Sequence, residues 1–310
     1  MNNIVSMIIN GVIGDVYGAP IEMMTYEYIH MKYGKIMTEY IVTDKIIERQ
    51  YTYTDDSEMT LAIIDFLSNY NLNIKTEDIM KYYIKYFEPF RGYSENTFNM
   101  FMQYISNNTY EISSRISNGG IMRVSPLILY YKKFNIDDNQ LMNLIKIIHH
   151  PTHVNEEAIH TSYIYIKILI EFDKLYNKSD YNPEYNLQDE IKKIIINIFN
   201  ITKYNIRSKL EYIINNYDID EYEGVDNLIG YDGILCYETL SVALWCVIKN
   251  IHMEPHKILG KGIFYGGDCD TIGSIIGQMT GILFGYKSVN KDWLKNIDMS
   301  IFLKNIEKFN

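Results

Sequence analysis

Two short acidic segments, far apart in a chain of 310 residues, carry the residue types best suited to chemistry: Thr54-Asp55-Asp56-Ser57-Glu58 and Gly267-Asp268-Cys269-Asp270-Thr271. Each sets a threonine hydroxyl beside acidic side chains, and each precedes an apolar stretch that reads as a helix. Either one alone has a plain structural account. Asp55-x-x-Glu58 matches a capping box, acidic residues suit the positive end of a helix dipole, and Asp270 can serve as an N-cap. Together they ask for more, because side chains from two helix starts can converge, and carboxylates that share one space repel unless cations neutralise them. Oxygen donors of this kind suit Mg²⁺ or Mn²⁺ rather than zinc or copper.

Further candidates stand singly. Gly14-Asp15-Val16-Tyr17-Gly18-Ala19-Pro20-Ile21-Glu22 adds carboxylates around a glycine-bearing turn, where an aspartate acts as a cap or buried acceptor more often than as a catalyst. Ser117-Asn118-Gly119-Gly120-Ile121-Met122-Arg123 follows a polar Ser113-Ser114-Arg115 run, and its glycines would let backbone N–H groups approach an anion such as a phosphate. Asn-Gly-Gly is also an ordinary turn. His153, one of seven histidines, reads by itself as a common surface or core histidine.

In chain order, Gly14-Asp15-x-x-Gly18-x-x-x-Glu22, Thr54-Asp55-Asp56-Ser57, Arg91-Gly92-Tyr93, Asn118-Gly119-Gly120-x-Met122-Arg123, Thr152-His153 and Gly266-Gly267-Asp268-x-Asp270-Thr271-Ile272-Gly273 resemble the ADP-ribosylglycohydrolase family. Asp232-Gly233, Glu238-Thr239-Leu240 and Ala243-Leu244-Trp245 extend the likeness. The resemblance implies an all-α, single-domain orthogonal helical bundle over residues 1–310, with a two-metal cleft. It implies hydrolysis of the N- or O-glycosidic bond that joins ADP-ribose to a protein side chain or small acceptor, with two Mg²⁺ ions or Mn²⁺ in their place. By the same analogy Thr54, Asp55, Asp56, Asp268, Asp270 and Thr271 are metal ligands, and Glu22 is a movable acidic residue that meets the metals or the distal ribose. Gly92, Asn118, Gly119, Gly120 and His153 would line the ADP-ribose side. Glu22, Asp55 and Asp56 are the candidate catalytic carboxylates acting on water, with acid and base roles left open.

The partner implied is an ADP-ribosylated protein or an ADP-ribose-containing small molecule. Because the family includes crystallins that keep the fold without catalysis, a nucleotide-binding relative without turnover is an alternative, as is a hydrolase of another ribosyl compound. The intact acidic set speaks for catalysis. The chain departs from many relatives in placing Ser114-Arg115-Ile116-Ser117 before the Asn-Gly-Gly turn, so that Arg115 either pairs with a diphosphate or stays a solvated charge. Cys269 stands between the two aspartates and is expected to point away from the metals.

The elements that must position these residues follow from composition and periodicity. With 47% hydrophobic residues the chain can bury one substantial core, and a formal charge of −10 disfavours broad attraction to nucleic acid or an anionic membrane. Cys236, Cys246 and Cys269 form neither an even set nor a zinc-binding spacing, so a reducing compartment fits. Without a basic n-region or a long apolar span, the expectation is a cytoplasmic protein with no membrane segment. Apolar residues recur at helical spacing, as in Leu240, Ala243, Leu244, Val247 and Ile248, and alternation of period two is scarce. Breakers such as Pro89, Gly119-Gly120, Pro151, Asn182-Pro183, Gly230 and Gly266-Gly267 cut the chain into roughly ten or more helices.

Residues 171–223, rich in Asn, Lys, Asp and Tyr, read as one or two peripheral amphipathic helices. Gly273, Gly277, Gly281 and Gly285 repeat every fourth residue on one helix face, and Gly14 and Gly18 share that spacing. Each interior glycine costs a helix about 1 kcal/mol against alanine. The spacing therefore predicts that these two helices cross with their backbones close together.

Overall fold

The computed structural model describes residues 3–34, 52–69, 76–179 and 186–309. The breaker expected at Asn182-Pro183 lies outside them. The described chain is all-α: α1 (Asn3–Gly18), α2 (Tyr26–Tyr33), α3 (Asp55–Ser68), α4 (Asp78–Tyr86), α5 (Glu95–Asn107), α6 (Leu127–Phe134), α7 (Asp138–His149), α8 (Glu156–Ser179), α9 (Leu187–Phe199), α10 (Tyr204–Asn215), α11 (Glu221–Ile229), α12 (Cys236–Asn250), α13 (Pro255–Gly262), α14 (Cys269–Phe284), α15 (Lys291–Leu294) and α16 (Ser300–Glu307). Among the described residues β-pairing is confined to isolated bridges, such as Met24 with Gly267 and Ser117 with Leu235.

The centre is the crossing of α1 and α14. Every residue of α1 except Val5 is buried, and every residue of α14 except Phe284. Helices apolar on all sides belong in the middle of a bundle. The stretch Asn3–Ile21 is long and apolar enough to cross a membrane, yet all of it but Val5 is buried inside the fold. The glycines explain how close the helices come. A Cβ on Gly14 would sit 2.0 Å from the carbonyl oxygen of Gly273, one on Gly277 2.0 Å from that of Asn10, and one on Gly281 2.5 Å from Cα of Met7.

Gly285 departs from the four-residue pattern. It caps α14 with φ of +59°, beside the Tyr176 ring, so its spacing is incidental to the crossing.

This crossing also positions the acidic segments. Gly18 at the end of α1 abuts Cys269 and Asp270 at the start of α14, which sets the following turn with Glu22 beside that helix N-terminus. Asp15, fully buried in α1, accepts hydrogen bonds from the backbone N–H groups of Thr54 (3.0 Å) and Ser57 (3.0 Å), pinning the start of α3 onto α1. The helix starts that carry both aspartate pairs therefore hang on one post. α9 buries Ile191, Ile194, Ile195 and Ile198 at helical spacing.

Candidate metal and ligand cleft

At the starts of α3 and α14, beside the turn that follows α1, lies a cleft of about 320 Å³. It is lined by Asp55 and Asp56 from α3 with Asp268, Asp270 and Thr271 from α14, and Glu22 stands at the exposed edge. The lining also includes Gly92, Arg115, Ser117, Asn118, Gly119 and His153. The two acidic segments thus meet in space, as their convergence required.

The local structure assigns the capping roles differently from the sequence reading. Thr54, not Asp55, caps α3, its hydroxyl accepting from Asp56 N–H at 3.3 Å. Glu58 does not reach back to close a capping box. It accepts from Glu88 N–H (2.9 Å) and Tyr93 Oη (2.7 Å) and pairs with Arg91 Nε (3.2 Å), tying α3 to the loop that bears Gly92. Burial pushes the Glu58 carboxyl up to about 7 despite those bonds. Asp268, not Asp270, caps α14 by accepting from Thr271 N–H, while Asp270 accepts from the same N–H at 2.9 Å.

Asp55, Asp56, Asp268 and Asp270 all belong to the cleft lining. Thr271 Oγ1 donates to Asp56 Oδ1 at 3.3 Å across the gap between α14 and α3. Asn118 Nδ2 donates to Asp268 Oδ2 at 2.8 Å, and this orients the carboxylate. Asp56 Oδ2 is buried with no hydrogen-bond partner among the described residues. Burial first, then repulsion among Asp15, Asp55 and Asp268, holds the Asp56 carboxyl well above the usual carboxylate range. Asp55 and Asp270 are raised for the same reasons, with Glu22 among their repelling neighbours.

Ligand oxygens of Glu22, Asp268 and Asp270 all lie within 4.8 Å of one another, so these residues form an acidic group that could hold a metal ion. A crowded set of carboxylate oxygens, with the unpartnered Asp56 oxygen lining the same cleft, is what a hard divalent cation fits.

Not every expected residue reaches the cleft. Thr54 is buried behind it as the cap, with its N–H on Asp15. Gly120 is absent from the lining and packs on the His149 ring, where a Cβ would meet Cε1 at 2.4 Å. Gly119 does line the cleft and lies against His153, with a Cβ position 2.9 Å from Cε1. The two glycines therefore make room for imidazoles. Gly92, at φ of +90°, approaches Asp55 with no side chain between them. Cys269 is fully buried and away from the cleft lining, as expected.

Sequence reasoning gave no role to Glu58 beyond capping, or to Arg123 beyond the motif it closes. Arg123 is 1% exposed, belongs to the cleft lining and has no carboxylate partner among the described residues. Its signal in the sequence was only its place in Asn118-Gly119-Gly120-x-Met122-Arg123.

The family model for ADP-ribosylglycohydrolase matches residues 1–309. The chain belongs to the ADP-ribosylglycohydrolase family. Among curated proteins, this family member is 22% identical over 278 residues to ADP-ribosylhydrolase ARH3 of Mus musculus, covering 79% of the chain and 73% of that protein. The Bos taurus ARH3 is 20% identical over 275 residues, covering 79% and 74%. A solved structure described as an ADP-ribosylglycohydrolase-related protein complex superposes with a TM-score of 0.64 at 17% identity, covering 99% of this chain and 97% of that one. At that identity the likeness concerns the fold, and it agrees with the all-α bundle built around the α1–α14 crossing.

Proposed function

We propose that the chain acts as one domain, residues 1–310, that hydrolyses the glycosidic bond between ADP-ribose and a protein side chain or small acceptor, using divalent cations in this cleft. The observation that carries this reading is the meeting of the Asp55-Asp56 and Asp268-Asp270 pairs around a buried, unpartnered Asp56 oxygen. Family membership supports the bond type, and the two ARH3 relatives are by name ADP-ribosylhydrolases.

In this reading Asp55, Asp56, Asp268, Asp270 and Thr271 would hold two Mg²⁺, with Mn²⁺ as a substitute, while Thr54 stays behind them as the α3 cap and Glu22 would close the set from the exposed edge. Bound there, the cations would fix the vicinal hydroxyls of the distal ribose and favour departure of the acceptor from its anomeric carbon. The protein's own contribution is orientation. Asp15 fixes the Thr54–Ser57 turn, and Asn118 aims Asp268. Glu22, the most exposed of these carboxylates, would take a proton from water, and Asp55 and Asp56 are its alternates.

Arg115 lines both this cleft and a neighbouring hollow of about 430 Å³ whose lining includes Asn96, Asn99, Gln103 and Ser114. A guanidinium at that junction suits the pyrophosphate, with the adenosine lying beyond it.

The test is ADP-ribose release from arginine-linked, serine-linked and polymeric substrates, in Mg²⁺ and in chelator. Release that requires the metal and falls by about 100-fold or more in Asp55→Asn is expected. Binding of ADP-ribose with no release from any substrate would replace the enzyme with a binding module.

A further inference from the structure

A buried chain of hydrogen bonds runs behind the cleft from Arg123 to Ser117. Arg123 Nη2 donates to Thr152 Oγ1 at 2.5 Å, Thr152 Oγ1 lies 2.7 Å from His153 Nδ1, and His153 Nε2 lies 2.9 Å from Ser117 Oγ. The first member fixes one role along this chain, because an arginine only donates and Thr152 Oγ1 accepts from it. Among the described residues, the acceptor within reach of the Thr152 hydroxyl proton is His153 Nδ1, and we assign the proton to that bond. Once Nδ1 accepts, a neutral His153 carries its proton on Nε2, and that proton is donated to Ser117 Oγ.

The surroundings keep the ring neutral and still. His153 is 3% exposed, and burial, with Arg123 and His149 nearby, pulls its pKa well below 6.5. Its carbonyl accepts from His149 Nδ1 at 3.1 Å, which leaves His149 Nε2 to accept from Ser162 Oγ at 2.9 Å. His149 is thereby held in the opposite tautomer, and the two rings do not compete for a proton. Gly119 leaves space for the His153 ring beside the turn.

Ser117 is the end of the line. It is half-buried and lines the cleft, and among the described residues its hydroxyl makes no hydrogen bond besides the one with His153 Nε2.

We propose that Arg123, Thr152 and His153 are positioning residues that fix the Ser117 hydroxyl as a hydrogen-bond donor into the cleft, where it meets an oxygen of the bound ligand. The order of the relay rests on the geometry of this chain alone, while the choice of ADP-ribose as ligand rests on the function proposed above. A serine able to donate or accept would tolerate either kind of group. One held as a donor selects for ribose or phosphate oxygen.

The experiment uses the full chain with ¹⁵N-labelled histidine imidazoles, the His153 signals being assigned by their loss in His153→Gln. Long-range ¹H–¹⁵N correlations near neutral pH should show His153 as the single Nε2–H tautomer. Thr152→Ser should keep that pattern. Thr152→Val, close in shape but without the hydroxyl, should abolish the preference. Calorimetric ADP-ribose affinity should fall about tenfold in Thr152→Val and in Ser117→Ala, with the double variant no weaker than either single one.

A packing role for Thr152 would change stability without moving the tautomer or producing that non-additivity. An Nδ1–H tautomer in the unsubstituted protein, an unchanged tautomer in Thr152→Val, or additive losses would each overturn the proposal. The expected tautomers without any ADP-ribose binding would instead sink the functional reading and leave the relay in place.

Discussion

Asp56 holds the most exacting position in the molecule: one oxygen accepts from Thr271, and the other is buried without a partner. Its carboxyl pKa is raised on folding, so in the absence of a cation the ionised form costs stability that is regained when the pH falls. Asp56→Asn should therefore raise the thermal midpoint in chelator, by an amount corresponding to about 1–3 kcal/mol. An unchanged or lower midpoint would count against a charged, unsatisfied Asp56. His149 supplies a second test of sign. Burial holds its pKa at about 3, below the usual 6.5, so the unfolded chain binds a proton that the folded chain refuses between those values. Its contribution is present above pH 6.5 and lost as pH falls, reaching a loss of about 2 kcal/mol near pH 5. Asp15 and Glu58, raised to about 6 and about 7, act in the opposite direction over the same range. The measurement is thus the difference between unsubstituted protein and His149→Gln in denaturant melts at pH 7 and pH 5, which cancels the carboxylates. A difference independent of pH would show that His149 is not held neutral.

At the scale of elements, the α1–α14 crossing separates two physical effects of opposite sign. On helix propensity alone, replacing an interior glycine by alanine stabilises by about 1 kcal/mol. At Gly14 the added Cβ would lie 2.0 Å from a backbone carbonyl of α14, which no side-chain rotation relieves. Gly14→Ala should destabilise by about 3 kcal/mol or more, read from chemical denaturation. It should also weaken metal binding, because Gly18 and Glu22 continue from the same helix toward Asp270. A stabilised Gly14→Ala protein would mean the helices do not touch there. The glycine spacing was legible in the sequence because a face of small residues is a local pattern. The different role of Gly285 was not, since the cap at that point depends on a left-handed backbone and on Tyr176 from α8.

For the whole molecule, the acidic residues of the cleft come from residue 22, from the start of α3 and from the start of α14, so a bound cation ties together distant parts of the chain. Such a ligand binds the folded state alone, and Mg²⁺ at about 100 times its dissociation constant should stabilise the protein by about 2.7 kcal/mol. Thermal melts with Mg²⁺ and with chelator should show one transition that moves as a unit. A transition that splits, or one that ignores Mg²⁺, would contradict a cation held between α1, α3 and α14 in a single domain.

Residue types and local spacing by themselves determined the helical class, the paired acidic segments, the close helix crossing and the family likeness, because each of these is written within a few turns of chain. Tertiary structure alone decided which acids cap and which face the cleft. Thr54 and Asp268 took the caps, a choice made by backbone angles at single residues and by Asp15 reaching across from α1. It also decided what the Asn-Gly-Gly turn is for. Gly119 and Gly120 make room for the rings of His153 and His149, which follow them by some thirty residues and reach them only through packing. Hydrogen-bond order along Arg123, Thr152, His153 and Ser117 belongs to the same class, since it exists only where buried groups from separate segments must satisfy one another.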